Sequence, residues 1–336
     1  MKKILAILCA LTLVFALCAC GESAAPAAAP APAAEAPAEA APEAAKSFSV
    51  GVCQLVQHPA LDKATEGFVN ALTEKLGDQV SINVQNAAGD SATCNTIVST
   101  FVADEVNLIM ANATPALQAA QSQTNSIPIL GTSITEYGVA LGLDNFDGKT
   151  GINDSGTSDL APLDGQADVL AELFPDAATV GILYCSAEAN SKYQVETITP
   201  FLEAHGYTVS VYTFSDSNDV AAVTGTACDE NDVLYIPTDN TAANCAEAIN
   251  NVALPAGVPI VCGEENLCAG CGVATLSISY YDIGYATGLM AYEILANGAD
   301  VSAMEIQYAP QFTKEYNAAN CEALNISVPA DYVAIG

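Results

Sequence analysis

Arginine is absent from the 336 residues, and only eight lysines stand against 39 Asp and Glu, for a formal net charge of −31. Nucleic-acid binding needs a basic footprint that releases counterions from phosphates, so that class of partner is excluded on charge. An acidic membrane surface would repel the chain as well. Histidine is scarce too, with two copies, His58 and His205. No Ser/His/carboxylate or Cys/His order stands out, so no catalytic residue and no enzyme activity are expected. No Gly-x-x-x-x-Gly-Lys loop occurs, which leaves any ATP hydrolysis to a separate protein. No apolar run reaches the ~20 residues that span a bilayer.

What is present begins with Lys2 and Lys3 ahead of an apolar run from Ile4 to Leu17, followed by Cys18-Ala19-Cys20-Gly21. A charged start, a short apolar segment and small residues at the end read as a secretory signal. The four residues ending in Cys20 resemble the bacterial lipobox, in which the peptide is cut before the cysteine and the thiol is lipidated. Cys18 fits less well, because Leu17 stands where a small residue is needed. A soluble secreted protein cut at Ala19 is the plainer alternative. Residues 1–19 are therefore read as signal peptide and 20–46 as the lipidated Cys20 and a tether of Ala, Pro and Glu. That composition has no apolar face to bury, and its prolines forbid a continuous helix. The anchored body would start near Lys46, outside the cytoplasmic membrane.

A chain of this length should hold two domains at ~100–200 residues each. Phe48 to Cys53 reads as a strand. Pro59 opens a helix with Leu61, Ala64, Phe68, Leu72 and Leu76 on one stripe, closed by Gly77. Val80, Ile82 and Val84 alternate as a strand, Asn107 to Ala111 reads as a buried one, and Ile127 to Leu130 as another. Such alternation predicts an α/β fold with parallel sheets covered by helices. The order then recurs. Val50-Gly51-Val52 is answered 130 positions later by Val180-Gly181-Ile182, Ile127-Pro128-Ile129 131 later by Val258-Pro259-Ile260, and Leu108-Ile109-Met110 125 later by Val233-Leu234-Tyr235. Two similar Rossmann-like lobes follow.

Ligands of open parallel sheets bind beyond the carboxyl ends of the strands. Six loops are thereby candidates: Gln54–His58, Asn112–Pro115 and Gly131–Thr135 in the first lobe, and Cys185–Ser191, Pro237–Thr241 and Gly263–Glu265 in the second.

Several segments in this order carry a family resemblance. They are His58-Pro59-Ala60-Leu61-Asp62, Ala113-Thr114-Pro115-Ala116, Ser186-Ala187-Glu188-Ala189-Asn190-Ser191, Pro237-Thr238-Asp239-Asn240, Gly263-Glu264-Glu265 and Tyr280-Tyr281-Asp282-Ile283-Gly284-Tyr285-Ala286-Thr287-Gly288. The stretch from Ser47 to the C-terminus resembles the tryptophan/tyrosine-binding, or aromatic amino acid, group of ABC-transporter substrate-binding lipoproteins. The resemblance implies a periplasmic-binding-protein type I fold, with two lobes joined by three crossovers near Thr157, Thr275 and Met304. Residues 47–157 and 276–304 would form the N-terminal lobe, and 158–275 and 305–336 the C-terminal lobe. It also implies an ABC permease and a separate ATPase as partners, an amino acid ligand, no cofactor, and a monomer held at the membrane by Cys20.

An α-amino acid carries a carboxylate that arginine usually clamps, and here backbone amides and hydroxyls must serve instead. Ser186, Asn190 and Ser191, between a strand and a helix, are the expected handles, with Glu188 an awkward neighbour. Asp239 is the first choice for the ammonium and Glu264 the second. Gln57, Thr114, Thr132 and Ser133 would complete the hydrogen bonding. Each has a plainer reading. Asp239 fits the N-cap of a helix starting near Thr241, Asn190 and Ser191 fit a helix start, Thr114 fits an N-cap before Pro115, and Glu264 fits a surface charge. His58 reads as a loop hydrogen-bonder, and Tyr280, Tyr281 and Tyr285 as packing.

Twelve cysteines complete the inventory, three of them in the leader and nine in the body. An odd nine cannot all pair internally, and buried free thiols, with at most one disulfide, are expected. Cys262, Cys268 and Cys271 also allow a thiol or zinc site, although no histidine is close and a second Cys-x-x-Cys is missing, so no metal is expected. The alternatives to an aromatic amino acid receptor are a receptor for an aliphatic amino acid or a sugar, and a thiol or metal lipoprotein built on those three cysteines.

Overall fold

Runs of β-branched residues that are apolar on both faces become the inner strands of two parallel sheets. The computed structural model describes residues 47–335; the expected signal peptide, Cys20 and the Ala/Pro/Glu stretch lie outside them. Strands β1 (Phe48–Gln54), β2 (Val80–Asn86), β3 (Leu108–Asn112), β4 (Ile129–Ile134) and β5 (Asp154–Ser158) lie side by side in the order β2-β1-β3-β4-β5. Strands β6 (Thr179–Cys185), β7 (Thr208–Phe214), β8 (Val233–Ile236), β9 (Ile260–Cys262) and β10 (Ala274–Ser277) repeat it as β7-β6-β8-β9-β10. The recurring sequence segments therefore occupy equivalent strands, β1 with β6, β3 with β8 and β4 with β9. Strands β3 and β4 bury every residue, whereas the edge strands β2 and β7 expose several.

The sheets are finished by the C-terminal quarter of the chain. Strand β11 (Gln307–Tyr308) pairs with β5 in the first sheet, and β12 (Thr313–Tyr316), antiparallel to β10, and β13 (Val333–Ala334) extend the second. The chain thus passes between the sheets after Ser158, after Ser277 and after Tyr308. Gln307 and Tyr308, expected in the second lobe, belong to the first sheet because their backbone fills the open edge of β5.

Helices α1 (Pro59–Leu76), α2 (Ser91–Ala103), α3 (Thr114–Gln123), α4 (Tyr137–Leu141), α5 (Leu163–Leu173) and α6 (Ala189–Ala204) connect the earlier strands. Helices α7 (Val220–Glu230), α8 (Asn240–Asn244), α9 (Ala246–Ala256), α10 (Glu265–Cys271), α11 (Tyr280–Asn297) and α12 (Ala318–Ala323) follow. Apolar clusters fill both faces of each sheet. The expected stripe of α1, Leu61, Ala64, Phe68, Leu72 and Leu76, is buried throughout. Against it lies α11, which returns from the second lobe. The two helices approach so closely that a Cβ on Gly284 would strike the Ala64 carbonyl oxygen, and one on Gly67 the Tyr281 carbonyl oxygen. The pairing positions the first lobe's sheet while leaving Tyr280, at the head of α11, at the junction of the lobes.

Candidate functional site

Loops from the carboxyl ends of both sheets meet across one cleft. His58, just before α1, places Nε2 3.4 Å from Oδ1 of Asn240 at the head of α8. Beside this contact is a cavity of about 230 Å³. Its walls come from the loops after β1, β2 and β3 (Leu55, Val56, Ala88, Pro115) and after β6, β7 and β8 (Ala187, Glu188, Ser215, Asn240).

The second lobe's acids in this region are committed to its own helix ends. Asp239 caps α8 by accepting from the Ala242 amide at 2.8 Å, and its other oxygen accepts from the Cys185 amide at 2.8 Å and the Ser191 hydroxyl at 2.7 Å. Burial and the nearby Glu188 charge push its carboxyl up to about 8, against those hydrogen bonds. Glu188 is also buried, and it accepts from the Asn240 and Thr241 amides at 3.0 and 2.8 Å and from the Asn190 side chain at 3.1 Å. This internal role disposes of its expected clash with a bound carboxylate. Glu264 caps α10 through the Leu267 and Asn266 amides at 2.5 and 2.7 Å, and burial pushes it up to about 7.

The sequence-predicted residues therefore divide. Asp239 and Ser191 are spent on each other, and the capping alternative describes Asp239 where an ammonium partner was expected. Glu264 is a buried cap, neither a surface charge nor an acid with a free oxygen. Ser186 is exposed and donates to the Phe214 carbonyl at 3.2 Å. Thr132 is fully buried beneath the cleft, its hydroxyl 3.1 Å from that of Thr157, which in turn meets Thr287 of α11 at 2.8 Å. Gln57 is exposed and lines a separate groove between α1 and β2. Thr114 opens α3 behind Ala113, whose φ of 87° turns the chain sharply into the helix. Ser133 is buried, with φ 55°, at the tip of β4.

Five buried polar atoms near the strand tips have no hydrogen-bond partner among the described residues: His58 Nδ1, Asn112 Oδ1, Ser133 Oγ, Asp159 Oδ1 and Asn190 Oδ1. Buried polar groups are nearly always paired, so orphans at the strand tips of both lobes are places where a ligand's own polar groups could be received. The remaining atoms of Asp159, Asn190 and His58 are linked. Tyr280 donates to Asp159 Oδ2 at 3.0 Å and lies in hydrogen-bonding reach of Thr238. The Thr238 carbonyl accepts from Asn190 at 3.3 Å, and Asn190 leads through Glu188 to Asn240 and His58. Burial lowers the His58 pKa below its ordinary value, so its ring is neutral near pH 7 and suited to hydrogen bonding. Asp159 is not among the residues that loop position singles out. Its signal is a lone acid in Ser158-Asp159-Leu160-Ala161-Pro162, close to the expected first crossover.

All nine body cysteines are free thiols, and all but Cys245 are buried. The Cys262 thiol touches those of Cys268 and Cys271 in the core, and burial raises its pKa. Among the described residues no group of three or more His, Cys, Asp or Glu is arranged to hold a metal ion. The thiols fill space as small apolar side chains do.

Residues 49–334 match the family model described as ABC transporter substrate binding protein. The chain belongs to that family. This substrate-binding protein is 37% identical over 256 residues to a curated tyrosine-binding protein of Clostridioides difficile, covering 75% of the present chain and 74% of that one. Among solved structures it is similar to an ABC domain from Streptococcus pneumonia in complex with L-Trp, with a TM-score of 0.81 at 30% identity, covering 85% and 97% of the two chains. It is also similar to a ligand-free, open substrate-binding protein with adhesive properties from Clostridium difficile, with a TM-score of 0.66 at 35% identity, covering 86% and 100%. The fold is the periplasmic-binding-protein type I fold that the resemblance implied. As a substrate-binding protein of an ABC transporter, it works outside the cytoplasm and binds its solute without transforming it. Among the described residues no helix is long and apolar enough to cross a membrane.

Proposed function

We propose that this substrate-binding protein captures an aromatic L-α-amino acid between its lobes and delivers it to an ABC permease driven by a separate ATPase. It acts as a monomer, anchored through a lipid on Cys20. The observation that carries the ligand reading is the likeness to the L-Trp complex, supported by orphaned polar atoms at the strand tips of both lobes. The name of the curated relative points the same way. With no arginine to clamp it, the carboxylate is received by neutral donors, the hydroxyl of Ser133 and the head of α3 at Thr114. Leu55, Val56, Ala88, Pro115 and Ala187 offer apolar surface to a ring. A cavity of about 230 Å³ suits one amino acid, being smaller than the ~300–1,000 Å³ of drug-sized sites.

A thermal-shift screen against the twenty amino acids and common sugars tests the reading. Trp, Tyr or Phe at a hundred times its Kd adds about 2.7 kcal/mol, a rise on the order of 5 °C for a body of this size. Silence toward every aromatic amino acid, with a response to a sugar, overturns the assigned ligand class.

A further inference from the structure

We infer that Asp159 is the acceptor for the ligand's α-ammonium group, held in place by Tyr280. The inference rests on the reading of the ligand as an amino acid. It comes from elimination among the buried acids. Asp239, Glu188 and Glu264 each use both oxygens on amides or side chains of the second lobe. Asp154 has two unpartnered oxygens, but it opens β5 at the end of the sheet away from the cleft. Asp159 follows the other end of β5, where the chain leaves for the second lobe.

The geometry at Asp159 is that of a half-used carboxylate. It is 4% exposed. Its amide donates to the Ile134 carbonyl at 3.2 Å, which fixes the backbone beside the β4 tip. Oδ2 accepts from Tyr280, the Thr135 side chain lies near the carboxyl, and Oδ1 has no partner at hydrogen-bond distance among the described residues. No salt bridge among the described residues includes it. A buried ionised carboxylate is costly without an opposite charge, and an ammonium supplies both the charge and donors for Oδ1. Asp159 lies on the first crossover and Tyr280 at the end of the second, so an ammonium bound there is gripped where the lobes hinge.

The test compares the preferred aromatic amino acid by calorimetry with its des-amino acid, which keeps ring and carboxylate. Wild-type protein should bind the amino acid at least about a hundredfold more tightly than the des-amino acid, since one buried charge contact is lost. Asp159→Asn keeps the side-chain shape and an oxygen for Tyr280. It should lose about a hundredfold toward the amino acid while changing less than threefold toward the des-amino acid. Retention of amino acid affinity within threefold in Asp159→Asn overturns the inference. So does an equal loss toward both ligands in a variant with wild-type circular dichroism. If wild-type protein responds only to a sugar, the ligand reading has failed instead.

Should Asp159→Asn not fold, the wild-type protein still decides. The titratable groups around Asp159 are Tyr280 on α11, Tyr137 on α4 and Glu264 beyond Tyr280. Burial pushes the free Asp159 carboxyl up to about 6. Preference for the amino acid over its des-amino analogue should therefore fall progressively below pH 6. A ratio flat from pH 5 to pH 8 overturns the inference.

Discussion

Asp154 and Asp159 bracket one short strand, yet their surroundings assign them opposite uses. Both oxygens of Asp154 are buried without a partner among the described residues, and desolvation pushes its carboxyl up to about 7. A carboxyl whose folded pKa stands above its unfolded value of ~3.9 favours folding most when protonated. Its contribution is full below the unfolded pKa and is lost as pH rises through about 7. Glu264 and Glu315, both raised to about 7, and Asp239, raised to about 8, act in the same direction. Ligand-free protein should therefore melt at a higher temperature at pH 5 than at pH 8. Asp154→Asn should narrow that gap by about 2 kcal/mol, and an unaltered pH profile in the variant would refute the assignment. Single-residue chemistry was only partly legible in the sequence. Loop position singles out Ser133 and Asn190, each of which keeps an unpartnered buried atom, whereas Asp239, Ser191 and Thr132 are held by partners that only the folded chain brings together. An acid followed by helix-forming residues was a visible warning in the case of Asp239.

At the level of elements, the tightest joint is the crossing of α1 and α11. Gly284 and Gly67 face carbonyl oxygens of the opposite helix, and a Cβ on Gly288 would meet Ala71 Cβ at 2.6 Å. Gly284→Ala should force the helices apart and cost about 2 kcal/mol or more, read as a lower urea midpoint with unchanged slope. A change within ~0.5 kcal/mol would mean that the crossing is slack. The helix pattern itself was readable, because Leu61, Ala64, Phe68, Leu72 and Leu76 recur with helical spacing. The stripe packs on the sheet, but the helix that crosses α1 beside it comes from a segment more than 200 residues away, which local periodicity cannot disclose. Short edge pairing is equally silent: β11 has two residues, both exposed, and joins the first sheet through its backbone alone.

For the whole molecule, the repeated spacing of Val50-Gly51-Val52 and Val180-Gly181-Ile182 did most to reveal the architecture, since two lobes of equal strand order follow from it. The proposed anchor belongs to this scale as well. Cys20→Ala should move the protein from the membrane fraction to the soluble fraction, and persistence on the membrane would refute the lipid attachment.

The closing of the first lobe by α11 also bears on the order of synthesis. That lobe's sheet is laid down early, but the helix that seals its α1 face is made only after the entire second set of parallel strands, through Ser277, has been joined. A nascent chain cannot complete one half and then the other like beads on a string. Until Asn297 has emerged, the face of α1 that carries Gly67 and Ala71 lacks the helix that packs on it, and the growing chain depends on whatever shields that face in transit.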